Sequence, residues 1–267
     1  MTTGNRPANG REPMNQPGTI GDVIARFEAA GRPLVAHNDE KRHFHGVYYR
    51  NTLAVKADME RGGFLDPGWV GPWDVVFADI YLNALDQWNR GEPPSGPWRV
   101  AFEAAEDHSI PPLRHVLVGL DVHLNYDLPQ AFLAAATDEE IDQPALLSKR
   151  QQDFQRVYSI EVSRVREEDL ELKKVEEPGD RTVVDRMLTP FNRRASRRFL
   201  TEARAQVWRN TGVLSRARRR SPEAYARYLR QLEVLTVAKA EDVLTLSRVQ
   251  LRLARVGFGV RLAVEYD

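Results

Sequence analysis

Cysteine is absent from the 267-residue chain, which excludes disulfides, thiolate catalysis and zinc–thiolate centres. Long apolar runs are absent as well; no stretch approaches the roughly 18 residues of a membrane-spanning helix. The first residues, Met1 to Gly18, are polar and carry no apolar core of a secretory signal, so the expected address is cytoplasmic. Net charge is missing too: 38 basic side chains meet 38 acidic ones, which argues against a strongly polyanionic partner. Lysine is scarce, 6 against 32 arginines, a usage that points to a GC-rich bacterial genome more than to any activity. Familiar signatures are missing: there is no P-loop, no dinucleotide-binding glycine pattern, no G-x-S-x-G and no H-E-x-x-H.

What is there is helical periodicity. Residues 1–18 read as a disordered tail and residues 19–267 as a single, mostly α, multi-helix bundle-like domain. Thr19 is placed to cap a helix through Ala30 that Gly31 stops. A second helix spans about Asp39 to Arg61, with Phe44, Val47, Tyr48, Asn51 and Val55 inward. After Pro72, Trp73, Val76, Phe77, Ile80, Tyr81, Ala84, Leu85 and Trp88 make one wide apolar stripe. Further helices are expected over 98–106, 112–128 and 144–174. Pro190 should interrupt a later helix, and Ser221-Pro222 opens the last one. At the C-terminus, Val256, Phe258, Val260, Leu262, Val264 and Tyr266 alternate with small or polar residues, which predicts a minor β element. Residues 115–124 also alternate and offer a rival strand; the C-terminal segment also offers a route to oligomerisation.

Two asymmetries matter for function. All six histidines (His37, His43, His45, His108, His115, His123) lie in the first half. Between Arg186 and Arg230, 13 arginines face only Glu202 and Glu223. Those arginines interleave with Phe191, Phe199 and Leu200, and no nucleic-acid-binding motif accompanies them, so nucleic acid is disfavoured.

The chemistry-bearing candidates fall on three helical faces. His123 and Asp127 stand one turn apart, where a carboxylate can fix the imidazole tautomer or join it on a metal. Pro129 should break that helix, and Asn125, on the opposite side, should tie the break to a neighbouring backbone group. His45, Tyr49, Thr52 and Lys56 share a second face that can line a pocket, with His45 as acid or base and Tyr49 as donor. Arg204 and Trp208, at i and i+4, suit a cationic clamp beside an aromatic wall. His45, His123 and Asp127 would supply three metal ligands if their helices met; without a compact ligand cluster, a cofactor-free site is the expectation.

The order of motifs resembles an uncharacterised family of bacterial helical proteins, a domain of unknown function, over about residues 35–215. The similarity rests on Tyr49-x-x-Thr52, on Phe77-Ala-x-x-Tyr-Leu-x-Ala-Leu85, on an approximate proline–tryptophan turn from Pro94 to Trp98, and on Arg204-x-x-x-Trp208. Its most specific part is Gly-x-[Asn/Asp]-x-His-[Ile/Leu]-Asn-x-Asp-Leu, matched from Gly119 to Leu128. The resemblance implies a helical fold and motif positions, and no reaction.

Two functions follow as expectations. The first is a small-molecule enzyme of bacterial, secondary metabolism. It would use His123 and Asp127, with His45 and Tyr49 opposite, for acid–base cyclisation, elimination or hydrolysis; Thr52, Asn125, Arg204 and Trp208 would bind substrate. The second is a non-catalytic helical interaction protein whose His–Asp pair is structural.

Overall fold

Helix caps set most of the element boundaries. The computed structural model describes residues 18–175, 189–245 and 259–263. Except for Gly18, the expected tail lies outside these residues, as does the loop expected at Glu176 to Asp180. Helices α1 (Ile20–Ala36), α2 (Arg42–Glu60), α3 (Pro67–Asn89), α4 (Gly96–Ala104) and α5 (Pro112–Val122) come first. A π turn (His123–Asp127) follows, then α6 (Leu128–Ala134), α7 (Asp138–Ile141), α8 (Pro144–Val175), α9 (Thr189–Arg220) and α10 (Pro222–Thr245). They form one helical domain, and no strand occurs among the described residues.

Thr19 caps α1 through a reciprocal capping box with Asp22, satisfying donors that a helix start leaves open. The expected stop at Gly31 does not occur, because that glycine serves packing. A Cβ there would lie 2.9 Å from Nε2 of His45, so α1 runs on through Pro33 and buries Leu34. Helix α3 likewise starts ahead of Pro72, adding Trp69 and Val70 to the buried stripe. Pro190 sits at the second position of α9, where a missing N–H costs no intrahelical bond; the chain that it was expected to interrupt lies before Thr189, outside the described residues. Ser221 caps α10, its Oγ accepting from the Ala224 N–H at 3.1 Å.

The core is aromatic and continuous. Trp69, Trp73 and Phe77, spaced by four along α3, stack nearly parallel; Trp69 and Trp73 lie 5.3 Å apart at 3°, Trp73 and Phe77 6.0 Å apart at 8°. Phe132 of α6 and Phe154 of α8 close over this column.

Residues 115–124 are helical, so the strand once open to them is not formed, and the C-terminal segment finds a different partner. Val260 and Leu262 are buried while Arg261 and Ala263 are exposed, so the alternation is real. No described strand pairs with it. Asn210 of α9 donates from Nδ2 to the Val260 carbonyl at 2.9 Å and accepts the Leu262 N–H on Oδ1 at 3.1 Å. Asn125 accepts the Val260 N–H at 3.0 Å. The Asn210 carboxamide thus imitates one residue of a parallel neighbour strand. Asn210→Ala should expose two ladder groups and lower stability by about 1–3 kcal/mol. Amide exchange at Leu262 should accelerate more than exchange in α3; equal protection of both would refute this anchoring role.

A second polar cluster joins α2 and α5. Glu40 accepts from His43 at 2.8 Å and from His108 at 2.9 Å, and His43 stacks on His115 at 6.1 Å. Burial pushes the His115 imidazole down to about 4. A histidine lowered in the fold supports stability above its unfolded value near 6.5 and loses that support as pH falls toward 4. Acid unfolding should therefore show a limb worth about 3 kcal/mol across that window. In His115→Leu the limb should flatten, as measured by denaturant titrations between pH 4 and 7; an unchanged limb would assign the acid sensitivity elsewhere.

Candidate functional site

The π turn makes the site. Pro129 has no N–H, so a regular α-helix through it would leave a carbonyl open one turn back. Here the Leu128 N–H reaches the His123 carbonyl, five residues back. The Gln130 side chain donates to the Tyr126 carbonyl at 2.9 Å. The helix therefore continues into α6 with Pro129 inside it, where a break was expected. Such one-turn π segments recur at functional sites.

His123 and Asp127 meet across this turn. The Nδ1 atom lies 2.8 Å from Oδ2 of Asp127, and both residues are buried, at 3 % and 0 % exposure. Trp98 of α4 donates its indole N–H to the same oxygen at 2.9 Å. Phe77 stacks on the imidazole at 3.7 Å and 8°, and Tyr48 lies 4.3 Å away. Phe44, Trp98 and Tyr81 complete an aromatic cage. Within it Nε2 of His123 and Oδ1 of Asp127 have no partner, and neither does the Tyr48 hydroxyl. Gly119, which opens the sequence motif, leaves room for the cage: a Cβ there would sit 2.4 Å from Cγ of Phe44.

Burial sets the protonation. It pushes the Asp127 carboxyl well above its usual range, with the Trp98 N–H opposing, and the His123 imidazole well below. The favoured state is a pair neutral overall. One proton is then shared between Nδ1 and Oδ2, and Nε2 keeps its own. Whichever heavy atom holds the shared proton, Nε2 is an N–H donor.

The second expected face is not assembled around this pair. The Nε2–H of His45 donates to the Phe27 carbonyl at 2.8 Å, which leaves Nδ1 to accept from the Tyr81 hydroxyl at 3.0 Å. Both nitrogens are consumed in joining α1, α2 and α3. Tyr49 donates to Glu28 of α1 at 2.8 Å, so it serves the α1–α2 contact. Thr52 is buried and donates to the Tyr48 carbonyl at 3.1 Å. Asn125 donates to Asp121 at 3.1 Å and holds Val260, on the opposite side of the turn from His123. Arg204 does not clamp against Trp208. It lies over Phe154 and Tyr158, and donates to the Phe154 carbonyl and to Glu161, each at 2.9 Å. Trp208 packs on Phe132.

Three participants escape a reading of spacing alone. Trp98 orients Asp127, and only its place after the proline-rich turn hints at a role. Tyr48 and Asp74 sit at core-facing positions, and Asp74 is an acid inside an apolar stripe. No group of three or more histidines and carboxylates placed to hold a metal ion occurs among the described residues. Three arginines of the basic stretch face acids: Arg204 pairs with Glu161, Arg218 with Asp138, and Arg219 with Asp142. No described helix is long and apolar enough to cross a membrane.

Fold and site together define an all-helical protein with a caged His–Asp pair on a π turn. The chain belongs to the family described as Family of unknown function (DUF5995), whose model matches residues 20–246. No match was found among curated proteins or among solved structures.

Proposed function

We propose that the protein is a small-molecule enzyme in which His123 acts as a general acid through Nε2, held and recharged by Asp127. The observation that carries this reading is the open Nε2 of His123 inside the aromatic cage, beside the open Oδ1 of Asp127 and the open Tyr48 hydroxyl. His45, which borders the same core through Tyr81, pairs both of its nitrogens. Burying an N–H donor without an acceptor costs free energy, and here the open donor belongs to a ring already held by a carboxylate. Aromatic walls exclude water, which favours protonation-driven cyclisation or elimination over hydrolysis. The rival reading, a binding protein with a structural pair, is favoured by the close stacking of the imidazole on Phe77.

Asp127→Asn separates the two. An asparagine oxygen in the place of Oδ2 accepts from both Trp98 and Nδ1–H, so the fold should hold. The neutral ring then carries its one proton on Nδ1, and Nε2 is left with a lone pair. In the wild type the pair's proton keeps Nε2 an N–H, and raising pH moves its nitrogen resonance to the lone-pair region. In Asp127→Asn the resonance should already lie there at neutral pH, and consumption of a small molecule from a bacterial metabolite extract should cease. An unperturbed extract with wild-type protein, or equal turnover by the variant, would count for the structural reading.

A further inference from the structure

Beyond the His–Asp pair, the core between α2, α3, α8 and α9 holds charges that do not balance. Glu161 and Arg204 are matched, with Nη2 and Oε2 2.9 Å apart. Asp74 is not matched: it is 4 % exposed, and its Oδ2 has no hydrogen-bond partner. The Tyr48 hydroxyl, also buried and unpartnered, feels the charge of Asp74 more than that of any other carboxylate. Asn51, one turn along α2 from Tyr48, presents a further open acceptor in Oδ1. Phe77 lies one turn beyond Asp74 on α3, with its ring 5.8 Å from that of Tyr48. Phe154 and Tyr158 floor the neighbouring Arg204.

The titratable and charged groups facing this region are Asp74 from α3, Glu161 from α8 and Arg204 from α9, with Asp127 and His123 behind Tyr48. Carboxylates exceed cations and the walls are aromatic, while the open atoms include the acceptors Asp74 Oδ2 and Asn51 Oδ1 and the donors Arg204 Nε and Trp73 Nε1. An anion would meet Asp74 and Glu161 and be repelled. A neutral alcohol would leave an ionised Asp74 unanswered. An ammonium group answers the carboxylate excess and the aromatic walls, donating to carboxylate and amide oxygens while its charge lies against π faces.

We infer that Asp74, with Tyr48 and Asn51, anchors the ammonium group of an amine ligand, next to the His123 cage. The inference deepens the enzymatic reading by giving its substrate class, and Tyr48, which borders both groups, links the two. Without ligand, burial and the nearby Glu161 push the Asp74 carboxyl up to about 7. An arriving ammonium therefore displaces a proton near neutral pH, and the affinity rises as pH passes through that value.

The test uses the full chain with benzylammonium as probe, benzyl alcohol and benzoate as neutral and anionic comparators, and titration calorimetry in two buffers of different ionisation enthalpy. Benzylammonium should bind at least tenfold more tightly than either comparator and release a proton at pH 6.5–7. Asp74→Asn should lose at least tenfold in affinity and all proton release. That variant should fold well, since it removes a group that opposes folding above pH 7; Tyr48→Phe offers a second, milder loss. His123→Gln should keep the binding, so failure of the acid–base reading would leave this one standing. No binding of benzylammonium at millimolar concentration, equal binding of benzyl alcohol, or unchanged affinity in Asp74→Asn would overturn it.

Discussion

His123→Gln should lower turnover of the protein's substrate by about a hundred- to ten-thousand-fold, the usual contribution of a positioned acid. Glutamine can keep a contact to Asp127, so loss of folding is not the expected cause. It supplies no titratable proton at the position of Nε2. The loss should fall on kcat more than on KM, because the proton matters in the transition state and binding rests on other groups. The remaining rate should lose the alkaline decline that the wild type shows when the pair gives up its proton. A folded variant with near-normal kcat would remove His123 from the chemistry. A His123→Phe variant gives the complementary readout. A phenyl ring fills the cage but leaves the buried Asp127 carboxyl with Trp98 as its one partner, so the variant should be inactive and also less stable than wild type.

The second large effect is on stability. Gly119→Ala should cost about 2–3 kcal/mol, near the upper range for overpacking a core. Alanine is the better helix former by about 1 kcal/mol, yet the collision outweighs that gain. The added Cβ would lie 2.4 Å from Cγ and 2.9 Å from Cβ of Phe44. The rigid base of the side chain is struck, so rotation of its tip gives no relief and α2 must move away from α5. The melting temperature should fall by roughly 5–10 °C. Phe44 also borders His123, so activity should drop alongside. Phe44→Leu in the same chain should recover part of the loss, a coupling a double-mutant cycle would detect. Additive losses would place the cause elsewhere.

Much of the fold was legible because helix ends are written in short-range chemistry. The cap at Thr19 and the Ser221-Pro222 start both stand where spacing puts them. The His123–Asp127 contact was legible for the same reason: residues four apart on a helix share a face. The faces of α2 were harder. His45 and Tyr49 looked like a polar side turned to a pocket, but α2 packs on α1 as well as on α5. A helix covered from both sides keeps a narrow solvent face, marked here by Leu53 and Glu60, and the binary pattern marks it poorly. Gly31 and Pro129 misled in a related way. Each has the chemistry of a terminator, and each is overridden by a tertiary need: close approach of His45 in one case, a shifted hydrogen-bond register in the other. The Trp98–Asp127 and Arg204–Glu161 pairs join residues 29 and 43 positions apart, distances over which no local periodicity speaks.

The π turn bears on how this segment tolerates change in length. Closing a ring five residues back instead of four places one more residue in the turn than an α-helix would hold. Removing a single residue between His123 and Asp127 would let the helix revert to α geometry. Because the wide turn absorbs its extra residue locally, α6 would keep nearly its present phase and Phe132 its place on the tryptophan column. The loss would fall on the spacing between imidazole and carboxylate instead. Removing a residue from the regular part of α5 would be costlier, since everything downstream would then rotate by about 100°. A deletion scan should thus find one interval, residues 123–127, where a one-residue deletion spares the fold and breaks the His–Asp contact.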